Sequence, residues 1–100
     1  MQQVDKDFYA RADAHIGLSN QQLSEEAGRG KVSASMMFAT ARFNAWVSAC
    51  GWSSAEAMGA AKTNTIEYFV AEYRKMLEEN LDDYIENFAD YMQPEEQRKD

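Results

Sequence analysis

Cysteine, proline and histidine each occur once in this chain of 100 residues, and their scarcity excludes several chemistries at the outset. With Cys50 alone there is no internal disulfide framework, and a single thiol suits a reducing compartment. Pro94 is the one proline, so nothing ahead of it forbids helix. His15 has no second histidine to join in a metal site, and no Glu-x-x-His motif of di-iron bundles is present. No run approaches the roughly 20 uncharged apolar residues of a membrane span. The opening MQQVDKDF has neither the basic region nor the apolar run of a secretion signal, so a cytoplasmic protein without membrane contact is expected. Bases are also short: ten Lys and Arg stand against 17 Asp and Glu, a net charge of −7. From Gly51 onward there are five bases and twelve acids, a surface that repels phosphate and argues against nucleic acid as a partner.

What the chain does have is helical periodicity. The hydrophobic fraction of 45% with 27% charged residues is ordinary globular composition, and no segment carries the alternation of a strand. The expected fold is all-α: an antiparallel bundle of three main helices in one domain, residues 1–100, with disordered tails at 1–4 and 94–100. Its organising element is Asn64 to Met92, where Ile66, Val70, Tyr73, Leu77, Leu81, Tyr84, Phe88 and Met92 fall at steps of three and four. The pattern repeats every eleven residues, so the stripe keeps to one face. Unbroken, this helix is about 40 Å long, at about 1.5 Å per residue. A domain of this size is only about 26 Å across, so one end of the helix projects with its apolar stripe uncovered.

Ahead of it, Asp5 or Asp7 starts a first helix with the face Phe8, Ala12, Ile16, Ser19 and Leu23. That thin stripe marks an outer helix, and Gly17 inside it suggests a close approach. AGRG ends the helix, with Gly28 suited to a left-handed cap. The second helix, Lys31 to Cys50, is apolar or small almost all round, with a main row of Val32, Met36, Ala39, Phe43, Trp46 and Cys50. Such a helix belongs in the middle of the bundle, with Cys50 packed as a small hydrophobe. Ser53 and Glu56 read as a capping box, and a kink or break is allowed near Thr63–Asn64. Asn80 with Asp83 offers a similar box, but the unshifted phase of the stripe favours continuity there.

Candidate chemistry is thin. GRGKVS lacks the first glycine and the hydroxyl residue of a phosphate loop. Glu78, Asp82, Glu86 and Asp90 line one edge four residues apart, which reads as a solvated face and not a calcium loop. Arg42 interrupts the second helix and should reach water or a carboxylate such as Glu67 or Glu72, because an unpaired buried charge is costly. No nucleophile, base and oxyanion donors assemble, so no enzyme and no cofactor is expected.

Three runs, FYARADAHIGLSN, SASMMFATARFNAWV and YFVAEYRKMLEENLDDYIENF, resemble a family of short acidic bacterial proteins catalogued as a domain of unknown function. The resemblance spans most of Phe8 to Phe88 and implies a cytoplasmic bacterial protein with no assigned activity, so it transfers no functional residue.

The reading that results is a non-enzymatic helical protein, a homodimer joined through Leu77, Leu81, Tyr84, Ile85, Phe88 and Tyr91, serving as an interaction or regulatory module for a further protein partner. The alternative is a bundle that binds a small molecule or metal near His15 and Arg42.

Overall fold

The computed structural model describes residues 4–92, and every regular element in that span is helical. The order is α1 (Phe8–Gln21), α2 (Arg29–Cys50), α3 (Ala55–Ala60), α4 (Lys62–Glu86) and α5 (Phe88–Tyr91). Contacts group the chain into two compact units, Met1–Gly51 and Trp52–Asp100. Of the expected tails 1–4 and 94–100, residues 1–3 and 94–100, Pro94 among them, lie outside the described residues.

In the first unit, α1 begins after Asp7, whose side chain does not cap it. Asp5 organises the entry instead. One of its oxygens accepts the Asp7 amide at 3.0 Å and the other accepts the Arg11 guanidinium at 2.8 Å. The helix stops at Gln21, and a turn built on Ser24 reverses the chain. Ser24 Oγ accepts the amides of Glu26 and Ala27 at 3.2 and 3.1 Å, while the Ser24 amide bonds the Ala27 carbonyl. No glycine takes a left-handed conformation: Gly28 is extended and serves as N-cap of α2, which starts two residues before Lys31. Its expected left-handed role fails because serine-centred hydrogen bonds make the reversal.

Within this hairpin Ser19 Oγ donates to Met36 Sδ at 3.2 Å, fixing the end of α1 beside the start of α2. Half-buried residues then run through Phe8, Ala12 and Ser19 on α1 and through Met36, Asn44 and Ser48 on α2. The expectation of a buried central α2 is corrected: Val32, at 7% exposure, is the buried hydrophobe among the described residues. Phe38 is 71% exposed, Phe43 and Trp46 stand nearly as open, and Cys50 is exposed as well. The reason is length and direction. A 14-residue helix cannot cover all faces of a 22-residue one, and the half-buried positions of α2 fall at Met36, Asn44 and Ser48, off the Phe43–Trp46 row. Gly17 is no contact point either, since a methyl group there would meet open space.

In the second unit Ser54, not Ser53, caps α3, its Oγ accepting the Ala57 amide at 3.0 Å. Glu56 still occupies the first turn. The break before the long helix falls at Ala61, two residues ahead of Thr63, where the backbone leaves helical values at φ −94° and ψ 4°. Ala57 and Met58 on α3, Ala61 at the bend, and Thr65 and Phe69 on α4 are half-buried. From there α4 runs 25 residues, about 37 Å. It is continuous through Asn80, whose amide donates to the Met76 carbonyl at 2.7 Å and leaves the backbone ladder intact.

The helix does not reach Met92 unbroken. Asn87 Nδ2 donates to the Asp83 carbonyl at 3.1 Å and to Asp83 Oδ1 at 2.9 Å, and the backbone there shifts to φ −113° and ψ 27°. That departure from helical backbone values at Asn87 is where α4 ends. The short α5 then brings the Tyr91 ring to 4.8 Å from Tyr84, and the Tyr91 hydroxyl donates to Asp83 at 3.1 Å.

Candidate functional site: the apolar face of the long helix

Within its own unit α4 has for company a helix of six residues and one of four. Neither can hide a stripe that runs its whole length, and the stripe is open. Ile66, Val70, Tyr73, Leu77, Leu81 and Tyr84 are all exposed, Leu77 least and Leu81 at 52%. The residues expected to join two copies therefore stay available. Ile85 is 72% exposed on the flank of the stripe, and Phe88 and Tyr91 extend it past the Asn87 bend. An apolar face of this extent on one element exceeds the scattered surface hydrophobes that need no explanation.

Charge sorts along the same helix. Residues 62–75 hold three bases and two acids, whereas residues 76–90 hold six acids and no base. The acids Glu78, Asp82, Glu86 and Asp90 are exposed, in keeping with a solvated edge. One charge perturbation falls here. The hydrogen bond to Asp83 raises the Tyr91 phenol above its ordinary value, with the Asp83 charge adding to the effect. A phenolate beside a carboxylate is disfavoured, so the neutral Tyr91 that clips α5 to α4 persists through ordinary pH. At the other end of the chain, Arg11 donates a hydrogen bond to Asp5 and holds its carboxyl below the usual range.

The remaining candidates are not gathered into a site. His15 and Arg42 are both exposed, and Arg42 makes no ion pair among the described residues. The carboxylate Glu72, expected as a partner for Arg42, pairs with Lys75 at 3.1 Å. A shallow recess of about 250 Å³ lies at the turn end of the hairpin. It is lined by Ser19, Asn20, Leu23, Arg29, Val32 and Ser33, and includes neither His15 nor Arg42. Among the described residues no three His, Cys, Asp or Glu side chains converge as metal ligands. No helix there is long and apolar enough to cross a membrane.

The DUF3144 family, described as a protein of unknown function, matches residues 8–85, a span containing α1 to α3 and all of α4 but its last residue. The chain belongs to the DUF3144 family. Among solved structures, this DUF3144 chain is similar to the protein NB7890A from Shewanella sp, determined by NMR. The two are 43% identical, the match covers 90% of this chain and 95% of that one, and the TM-score is 0.75. No curated protein matches the chain. The resemblance read from the three sequence runs and the all-helical fold of this DUF3144 member are thus both established, and neither carries an assigned activity with it.

Sequence reasoning found the stripe by its spacing. It missed the Asp83–Asn87–Tyr91 cluster, whose signal was an asparagine and a tyrosine four and eight residues after an aspartate near a helix end. It also misplaced the aromatic row of α2, because periodicity reports that a helix is apolar all round without reporting which neighbour covers which side.

Proposed function

We propose that this protein is a non-enzymatic helical module that pairs with a second copy of itself along α4, and that the pair acts as an interaction or regulatory unit. One observation carries the reading: α4 keeps its full apolar stripe exposed, while the elements of its own unit are too short to cover it. Removing apolar area from water is the dominant driving force of folding and of most association, and Val32 is the lone hydrophobe that the described chain buries. A closed two-fold pair is the commonest way for a self-complementary patch to be covered. The non-catalytic part of the proposal is supported by His15, Cys50 and Arg42 each being exposed and lying outside the recess at the turn. A cytoplasmic setting belongs to the same proposal and rests on the lone cysteine and the acidic composition.

Light scattering after size exclusion tests the reading. The expected result at tens of micromolar is a species of twice the 11.4 kDa chain mass. A single monomeric peak at that concentration would remove it.

A further inference from the structure

The sequence of charges and side-chain sizes along α4 constrains how two copies can meet. We infer that they pair antiparallel, about a two-fold axis near Lys75, and that reciprocal bonds between Arg74 and the partner's Glu78 fix this register. The inference rests on the self-association proposed above and adds its geometry.

Three observations carry it. The first is layer matching. About an axis near Lys75, the stripe places Ile66 against the partner's Tyr84, Val70 against the partner's Leu81, and Tyr73 against the partner's Leu77. Each tyrosine then faces an aliphatic side chain, which lets large and small residues interdigitate. A parallel pair would set Tyr73 on Tyr73 and Tyr84 on Tyr84, with the aliphatic residues likewise crowded together in separate layers.

The second is the charge beside the stripe. At about 100° per residue, Arg74 and Glu78 lie on the same flank of the apolar face. In an antiparallel pair like flanks adjoin, so the axis brings each Arg74 beside the partner's Glu78, twice by symmetry. Both side chains are exposed, and neither makes an ion pair among the described residues. Parallel pairing offers instead Lys62 with the partner's Glu67, at the first turn of the helix, where Lys62 directly follows the Ala61 bend.

The third is the distribution of charge along the whole helix. Parallel pairing lays the six acids of residues 76–90 beside the same six acids of the partner. Antiparallel pairing lays them beside the end that holds Lys62, Arg74 and Lys75. Most of these acids point away from the stripe, so salt screens their repulsion over about 8 Å. The flanking pair sets the register and the acidic end opposes the parallel alternative.

Spin labels at positions 62 and 80 decide the question. These positions are 18 residues apart, five full turns, so they share one side of the helix. With Cys50→Ser removing the native exposed thiol, Lys62→Cys and Asn80→Cys are labelled separately and dipolar distances between copies are measured. Antiparallel pairing gives about 40 Å or more at position 62 and about 20 Å at position 80, from the axial rise of about 1.5 Å per residue. Equal distances at the two positions mean parallel pairing and overturn the inference while leaving self-association in place. No dipolar signal at either position, together with a monomeric mass by light scattering, overturns both.

Discussion

Replacing Leu81 by aspartate is the sharpest perturbation of the proposed pair. Leu81 stands midway along the second half of α4 with 52% of its surface exposed. Burying a whole leucine side chain contributes about 1.5–3 kcal/mol, so covering the exposed half contributes about 1 kcal/mol per copy. A two-fold pair contains the residue twice, and each copy of the variant also sets a carboxylate against an apolar partner. Such a group costs about 1–3 kcal/mol more where partial solvation remains. Taken together, Leu81→Asp should weaken pairing by about 4–8 kcal/mol, which is about a thousandfold or more in Kd. The assay is sedimentation across a concentration series, with far-ultraviolet circular dichroism alongside. Helicity should fall little, because position 81 is already exposed in the single chain and aspartate lowers helix propensity by only about 0.5–0.7 kcal/mol. Glu79→Gln, on the face away from the stripe, should leave the association constant unchanged. A Leu81→Asp protein that pairs as tightly as the parent would refute the claim that this face is the interface. Collapse of helicity in the variant would show instead that the stripe serves the fold of the single chain.

Other consequences concern the fold itself. Gly17→Ala should raise stability by up to about 1 kcal/mol, since the added methyl meets open space and α1 gains helix propensity; thermal unfolding measures it, and a drop in the midpoint would mean that a close approach exists there after all. Ser54→Ala removes the cap on the Ala57 amide and should cost α3 about 1 kcal/mol, read as roughly fivefold faster hydrogen exchange at that amide. Asp83→Asn should return the Tyr91 phenol toward its ordinary value, measured by tyrosine titration. Because the folded value is raised, the stability from this clip is fully present below pH 10 and is lost as pH rises through the folded value. An unchanged titration in the variant would remove Asp83 as the cause.

Most of the helical architecture was legible in the residues, for local reasons. Helix formation depends on near-neighbour propensity and on side chains three and four apart, so α4 could be placed from Ile66, Val70, Tyr73 and Leu77 alone. Its continuity through Asn80 followed from the unshifted phase of the same stripe. The scarcity of cysteine, histidine and bases narrowed the chemistry without any structure. The ends of elements were less accessible. Ser53 and Ser54 both offer a hydroxyl to a following amide, and only the backbone geometry selects Ser54. Asn80 and Asn87 each donate to the carbonyl four residues before, yet the first sits within continuous helix and the second stands where it stops.

What the sequence determined by itself is therefore an all-helical chain with an amphipathic rod near its end, because spacing along a helix fixes which residues share a face. What only the tertiary structure decided is which faces stay open: α2 half-buries Met36, Asn44 and Ser48 and leaves its aromatic row exposed, and the half-buried positions of α4 fall at Thr65, Phe69 and Glu72, in its first half. Coverage depends on the relative lengths and crossing of helices far apart in the chain, and periodicity within one helix carries no information about either.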